Sequence, residues 1–304
     1  MFLEGLIRKA AEHSKKTVAV AQAGDQGVLE AVAQAVQLGL ANFLLYGNKE
    51  KIMAVLKQHH PELLEDEAIT IYHYPLANEA AREAVKSVSE KKANVLMKGH
   101  VQTSVILKAV LDRDFGLRSE SILSHTAVFE VPGYNRPILV TDAAMNIAPD
   151  LAEKAAIVKN ASLLAQSIGI SVPKVAPICA VETVNSKMQA TLDAASLAAM
   201  NQRGQISGCI IDGPLALDNA VSSLAAEHKG ITSDVAGKAD ILLVPTVEAG
   251  NILYKSLVYF ARAKVGAVIC GAKAPIILTS RSDSSESKLY SLAVALCSST
   301  HIRD

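Results

Sequence analysis

Along the first hundred or so residues, apolar runs of strand length alternate with longer stretches whose apolar positions recur every three to four residues. Segments 17–23, 41–47, 68–74 and 94–99 read as strands, and 26–38, 49–60, 77–91 and 103–111 read as helices. Alternation of this kind predicts parallel strands joined by crossover helices. After Gly116 the texture changes. ILSHTAVFEVPGYNRPILVTDAAM holds two extended runs around a Pro-Gly turn, the pattern of a hairpin, and βα alternation then resumes through 174–181, 208–212, 241–245 and 265–271. The pattern predicts an α/β fold with two domains and a boundary near residue 121.

Composition narrows the class. With 304 residues, half of them hydrophobic and a fifth charged, the chain can build two α/β-sized cores. Thirty basic residues balance thirty acidic ones, so no global field attracts nucleic acid or an anionic membrane, and anion binding has to be local. That favours a small-molecule ligand. Cys179, Cys209, Cys270 and Cys297 are scattered singly in apolar surroundings, which fits buried thiols in a reducing compartment; a cytoplasmic protein is expected. Residues 1–14 are amphipathic without a signal-peptide core, and the longest uncharged stretch, 31–48, is broken by Gln34, Gln37 and Asn42, so no membrane span is expected.

Spacing removes several chemistries. No G-x-G-x-x-G follows a strand and there is no G-x-S-x-G. GITSDVAGKAD contains Gly-Lys, but Thr232 stands where a phosphate-binding loop needs glycine, and Ala239 where it needs Ser or Thr for magnesium. The eight histidines include no H-E-x-x-H pair, and no structural metal is expected. What remains is a set of polar clusters at predicted strand ends, where open α/β sheets place ligands. LMKGHVQTS brings Gly99, His100, Gln102, Thr103 and Ser104 to the start of a helix, as a capping turn or a binding turn. In CIIDGPLALDNAV, Asp212 and Asp218 are acid/base candidates or simply close a turn and start a helix. In LLVPTVEAGNILYK, Asn251 and Lys255 share a helix face four residues apart, beside Glu248. Last, ILTSRSDSSESKLYSLAVAL runs from a short strand at 275–278 through Ser280 and Arg281 into an apolar helix. A guanidinium at a helix start, beside free N–H groups, makes an anion site unless it merely faces solvent.

Together these clusters resemble the phosphate acetyltransferase and phosphate butyryltransferase family. The resemblance is carried in order by MKGHVQTS, TDAAMNIAPDLAEKAAI, IDGPLALDNA, SDVAGKADILLVPTVEAGNILYK and APIILTSRSDSS. The short length and the last segment look like the butyryltransferase branch. It implies a two-domain α/β/α sandwich with an interdomain cleft and the fold of the isocitrate and isopropylmalate dehydrogenases. The first domain would comprise residues 1–121 plus 268–304, and residues 122–267 would form the second, a cleft wall and dimerisation unit of a homodimer.

The implied reaction moves a butanoyl group between CoA and inorganic phosphate, with both as substrates and no cofactor. Phosphate is a heavily hydrated nucleophile, so the site has to strip its water, aim one oxygen at the thioester carbonyl and balance the remaining charge. Arg281 suits that task through its two-pronged fork, with Ser280 beside it. No covalent nucleophile is evident, which agrees with direct attack in a ternary complex. The family's acidic residue after Ser-Arg has no strict match, since Ser287 falls in register and Asp283 and Glu286 lie beside it. The implied catalytic set is Ser280, Arg281 and Asp283; the implied substrate-binding set is Gly99, His100, Gln102, Thr103, Ser104, Asn251, Lys255 and Glu286. A phosphate acetyltransferase, a metal-dependent dehydrogenase of the same fold and a non-catalytic sensor of CoA or acyl phosphate are the alternatives.

Overall fold

The computed structural model describes residues 2–12, 15–280 and 283–299. The chain divides into two units, Met1–Ser121 with Val265–Asp304, and Ile122–Lys264. Helix α1 (Phe2–Glu12) leads into β1 (Lys16–Ala21), α2 (Gln26–Gln37), β2 (Ala41–Gly47), α3 (Lys49–His59), β3 (Ile69–His73), α4 (Ala77–Ser89), β4 (Val95–Lys98) and α5 (Thr103–Val110). The second unit follows with β5 (Ser124–Glu130), β6 (Ile138–Thr141), α6 (Leu151–Ser167), β7 (Lys174–Pro177), α7 (Gln189–Gln202), β8 (Ile210–Ile211), α8 (Leu217–Val221), α9 (Ser223–His228), β9 (Ile241–Leu243) and α10 (Val247–Tyr259). The return segment supplies β10 (Lys264–Cys270), β11 (Ile276–Ile277) and α11 (Ser285–Ser298) to the first unit.

In the first unit the strand order is β3-β2-β1-β4-β11-β10, parallel except for β10, which runs antiparallel to β11. The last four residues of β1 and all of β4 are buried, as parallel strands covered on both faces must be. Helix α11 packs on α1 and α2, and α4 packs on α5 and on β1, β2 and β4. In the second unit the order is β5-β6-β9-β7-β8, with β5 and β6 forming the antiparallel hairpin and the rest parallel. Local chemistry fixes the helix starts: Asp25 caps α2, Asn48 caps α3, and Asp150 with Glu153 forms a capping box on α6.

Boundaries differ from the sequence reading by a residue or two in the first unit, where β2 matches at both ends. The second unit differs more. The run at 174–181 is a strand only to Pro177, beyond which Ile178 makes a single bridge to Leu215, and the run at 208–212 contributes two paired residues. Alternation also placed the run at 265–271 among the parallel strands, yet β10 runs antiparallel to β11, joined to it by a five-residue link. In GITSDVAGKAD, the carbonyls of Gly237 and Lys238 accept from Arg136, which stands 3.7 Å from Asp240 and ties the approach to β6 to the loop before β9. No helix among the described residues is long and apolar enough to cross a membrane.

Candidate active site

Strands β1, β4 and β11 are neighbours running the same way, with Ala21 opposite Lys98 and Ile277 opposite Met97. Their C-terminal ends therefore open side by side, at the edge where α/β sheets place ligands. The chain leaves β4 through Gly99, whose N–H donates to Ala21 O at 2.8 Å, and the N–H of His100 donates to Gln22 O at 2.8 Å. A Cβ on Gly99 would lie 2.2 Å from Gln22 O, so only glycine lets the β4 exit close on the β1 exit. His100 Nδ1 stands 3.7 Å from Asp25 Oδ2, while the other oxygen of Asp25 accepts from Val28 N at 3.1 Å. Gln102, Thr103 and Ser104 open α5 with exposed side chains, and Gln102, at the cap position, makes no side-chain cap bond. The positive end of α5 is left without a side-chain cap.

Beyond β11, Ser280 N donates to Asp283 Oδ2 at 2.7 Å and Asp283 N donates back to Ser280 O at 3.2 Å. This reciprocal pair joins Ser280 to Asp283; Arg281, named in the sequence reading, lies outside the described residues. Ser284 caps α11 by accepting from Ser287 N at 3.1 Å, and Glu286 accepts from the Tyr290 hydroxyl at 2.9 Å. Beneath the turn sits Lys288, buried, its ammonium donating to the Asp283 carbonyl. The first unit thus gathers Gly99, His100, Gln102, Thr103, Ser104, Ser280, Asp283 and Glu286 on neighbouring strand exits. The N–H of Ser280 is engaged by Asp283.

Asn251 and Lys255 belong to the second unit. Gly250 packs α10 onto the exit of β6, where a Cβ would lie 2.6 Å from Asp142 O, and Asn251 Nδ2 reaches Ala143 O at 3.5 Å. Lys255, one turn on, is exposed. The carboxyl of Glu248 is held below its ordinary range by its own backbone N–H, with the Thr246 hydroxyl assisting. Asp142 itself is buried and accepts from the N–H groups of Ala144, Met145 and Asn146 and from Asn146 Nδ2 at 2.6 Å. It folds the loop that receives α10. Asp218, a candidate acid/base group, is held below the usual carboxylate range by the Asn219 N–H and then by Lys229, 3.2 Å away. It lies in the first turn of α8 and serves as an ion-pair partner of Lys229. Among the described residues no group of three or more His, Cys, Asp or Glu could hold a metal ion.

Sequence reasoning passed over Asp25, Lys98 and Lys288. Lys98, 6% exposed, donates to the carbonyls of Gly99 and Val101 at 3.4 and 3.3 Å. In VLMKG and SESKLY each lysine reads as a solvated strand end or first helix turn. One signal was available for Lys98, which directly follows the apolar run Val95–Met97.

Residues 75–296 match the family model described as phosphate acetyl/butaryl transferase. A Bacillus subtilis protein named a probable phosphate butyryltransferase is 56% identical over 299 residues, covering 98% of both chains. A Thermotoga maritima phosphate acetyltransferase is 44% identical over 295 residues, 97% of this chain and 99% of its own. Among solved structures, a branched-chain phosphotransacylase from Enterococcus faecalis superposes with a TM-score of 0.83 at 37% identity, over 94% of this chain and 99% of that one.

Proposed function

The chain belongs to the phosphate acetyl/butaryl transferase family, and from that premise we propose that it catalyses butanoyl-CoA + phosphate ⇌ butanoyl phosphate + CoA. The observation that carries the reading is the convergence of the β1, β4 and β11 exits, which sets an uncapped helix start beside the Ser280–Asp283 turn. Identity near 56% along the full length with a protein named for butanoyl transfer favours the four-carbon acyl group over acetyl. CoA thioester and phosphate are substrates, and no cofactor enters the scheme.

In the proposed reaction a phosphate oxygen attacks the thioester carbonyl, the C–S bond breaks, and CoA leaves as a thiolate that takes up a proton. Arg281, assigned on resemblance and chemistry, binds two phosphate oxygens through its fork, and Ser280 Oγ holds a third or the carbonyl oxyanion. The α5 start, with Gln102, Thr103 and Ser104, supplies further donors to an anion. Asp283 closes the turn through Ser280 N, and His100 or Glu286 is the alternative base in the direction that consumes CoA. A thiol with an ordinary value near 8.5 leaves readily as thiolate, so the base matters chiefly in that direction. Asn251 and Lys255 are assigned to substrate contacts on the resemblance alone. The same reading gives the chain the fold of the isocitrate and isopropylmalate dehydrogenases, a cytoplasmic location and a homodimeric state built on the second unit.

Thiol release from butanoyl-CoA in the presence of phosphate tests the reaction. Turnover that requires phosphate and falls about a hundredfold in Arg281→Lys, which keeps the charge and loses the fork, is the expected result. A folded wild-type protein without phosphate-dependent thiol release overturns it. Comparing kcat/KM for acetyl-, propanoyl-, butanoyl- and isobutanoyl-CoA tests the acyl preference. Two buried methylenes are worth about 0.8 kcal/mol each, so butanoyl should exceed acetyl by roughly tenfold.

A further inference from the structure

We propose that the second unit holds a ligand site of its own outside the ends of β7 and β9, where the buried ammonium of Lys154 takes the carbonyl oxygen of an uncharged aliphatic group. Strands β7 and β9 are parallel neighbours, with Pro177 opposite Leu243. The chain leaving β7 runs through α7, which packs on β8, whereas the chain leaving β9 runs into α10, which packs on β6 on the other side. Neighbouring strands whose following helices diverge leave a crevice at their C-terminal ends, where open α/β sheets hold ligands. A pocket opens there. Its walls include Ile178, Leu243 and Pro245 from the two strand exits and half-buried Ala190 of α7, and its polar groups are Lys154 of α6 and Asp193 of α7.

Lys154 and Asp193 are each 6% exposed, with Lys154 Nζ 2.6 Å from Asp193 Oδ2. The carboxylate is engaged at both oxygens, since the second accepts from Gln189 Nε2 at 2.8 Å. The ammonium is not. It carries three N–H donors, and among the described residues Asp193 is its one hydrogen-bond partner. The surroundings are dry enough that burial pushes the nearby Cys179 thiol up to about 11, against the opposing charge of Lys154. A donor left unpaired in such a place costs the loss of its hydration, so the spare N–H groups call for an acceptor. Charge and size then narrow the occupant. The ion pair is neutral as a unit, which removes the drive to take up phosphate or a carboxylate. The enclosed space is about 10 Å³, room for one group the size of a water, so a ligand enters with a single oxygen and rests its aliphatic remainder on the rim. An acyl-pantetheine end, with thioester and amide carbonyls on aliphatic stems, has this chemistry. Naming it as the occupant rests on the acyl-transfer reading above, whereas the spare donors do not.

The test uses the full chain. Lys154→Met combined with Asp193→Leu removes both charges and keeps the volume, an exchange that folded proteins tolerate, and Ala190→Val narrows the crevice while leaving the pair intact. Each should raise the Kd for butanoyl-CoA, measured by calorimetry without phosphate, by about tenfold or more, the size of one hydrogen bond to a charged group. KM for phosphate should stay within about twofold. Two fragments locate the oxygen: pantetheine carries the amides alone and S-methyl thiobutanoate the thioester carbonyl alone, and the one that raises the Tm of wild type but not of the double variant identifies it. A butanoyl-CoA Kd unchanged in both variants overturns the proposal. So does a wild type that neither fragment stabilises, which marks a pocket holding water alone. Lys154-dependent binding of butanoyl-CoA without phosphate-dependent thiol release keeps this site and removes the acyl-transfer reading; thiol release with Kd unaffected by the variants does the reverse. If the double variant does not fold, Ala190→Val alone decides.

Discussion

Helices α11 and α10 are of similar length and read much alike in sequence, yet they end in opposite surroundings. All ten residues 288–297 of α11 are buried, against α1, α2 and β11. The contacts are specific. Gly266 on β10 lies so close that a Cβ would meet Tyr290 C at 2.8 Å, Ser291 Oγ accepts from Ala267 N at 2.9 Å, and Lys16 Nζ donates to Leu296 O at 2.6 Å at the helix end. In α10 only Gly250 is buried, while Ile252, Tyr259 and the following Phe260 are 67%, 60% and 88% exposed. Their spacing, seven and eight residues, puts them on one stripe. An apolar helix can thus be the centre of a core or an apolar surface, and the difference lies in what the rest of the chain brings to it. A stripe of this size rimmed by Asn251 and Lys255 is the kind of surface that a second copy covers, which supports the proposed homodimer.

Breaking the comparison on the α11 side should have the largest effect. Leu292→Ala, at a fully buried position, is expected to cost about 2–5 kcal/mol in urea unfolding, because the enclosed helix cannot collapse into the void. Next comes Gly250→Ala, which forces α10 off the Asp142–Ala143 backbone at 2.6–2.8 Å and should cost roughly 1–3 kcal/mol by the same measurement. A gain in stability there would mean that α10 is not seated as described.

Alkaline pH sharpens the contrast through Cys297, which only α11 carries. Burial pushes its thiol up, with Lys9 and Lys16 opposing, and burial likewise pushes Cys179 in the second unit up to about 11. A raised folded value means that the unfolded chain ionises first. The stabilisation is complete below the unfolded thiol range and is lost as pH rises toward the folded value, at up to about 1.4 kcal/mol per unit for each thiol. Urea midpoints taken between pH 8 and 11 should therefore decline, and Cys297→Ala should flatten part of that decline. The smallest change in the folding of the single chain is expected from Ile252→Ala and Phe260→Asp, within about 0.5 kcal/mol. Sedimentation should still register the second of these as a shift toward monomer; an unchanged assembly would move the dimer surface elsewhere.

Local sequence determined a good deal. The period-two and period-3.6 patterns located nearly every element of the first unit, and the Pro-Gly pair marked the turn between β5 and β6 in the second, because short-range sterics and hydrogen bonding decide them. The polar clusters at residues 99–104 and 280–286 were legible as strand-to-helix turns for the same reason, and the order of motifs along the chain pointed to the family. Tertiary structure alone decided that β11 inserts beside β4, so that turns 180 residues apart open at one edge. It also decided that Lys98 and Lys288 are buried rather than solvated, that Asp283 spends its carboxylate on Ser280 N, and that α11 is enclosed while α10 is bare. Burial and partnership are properties of the neighbours that long-range strand pairing assembles, and a side chain carries no local record of which neighbours will arrive.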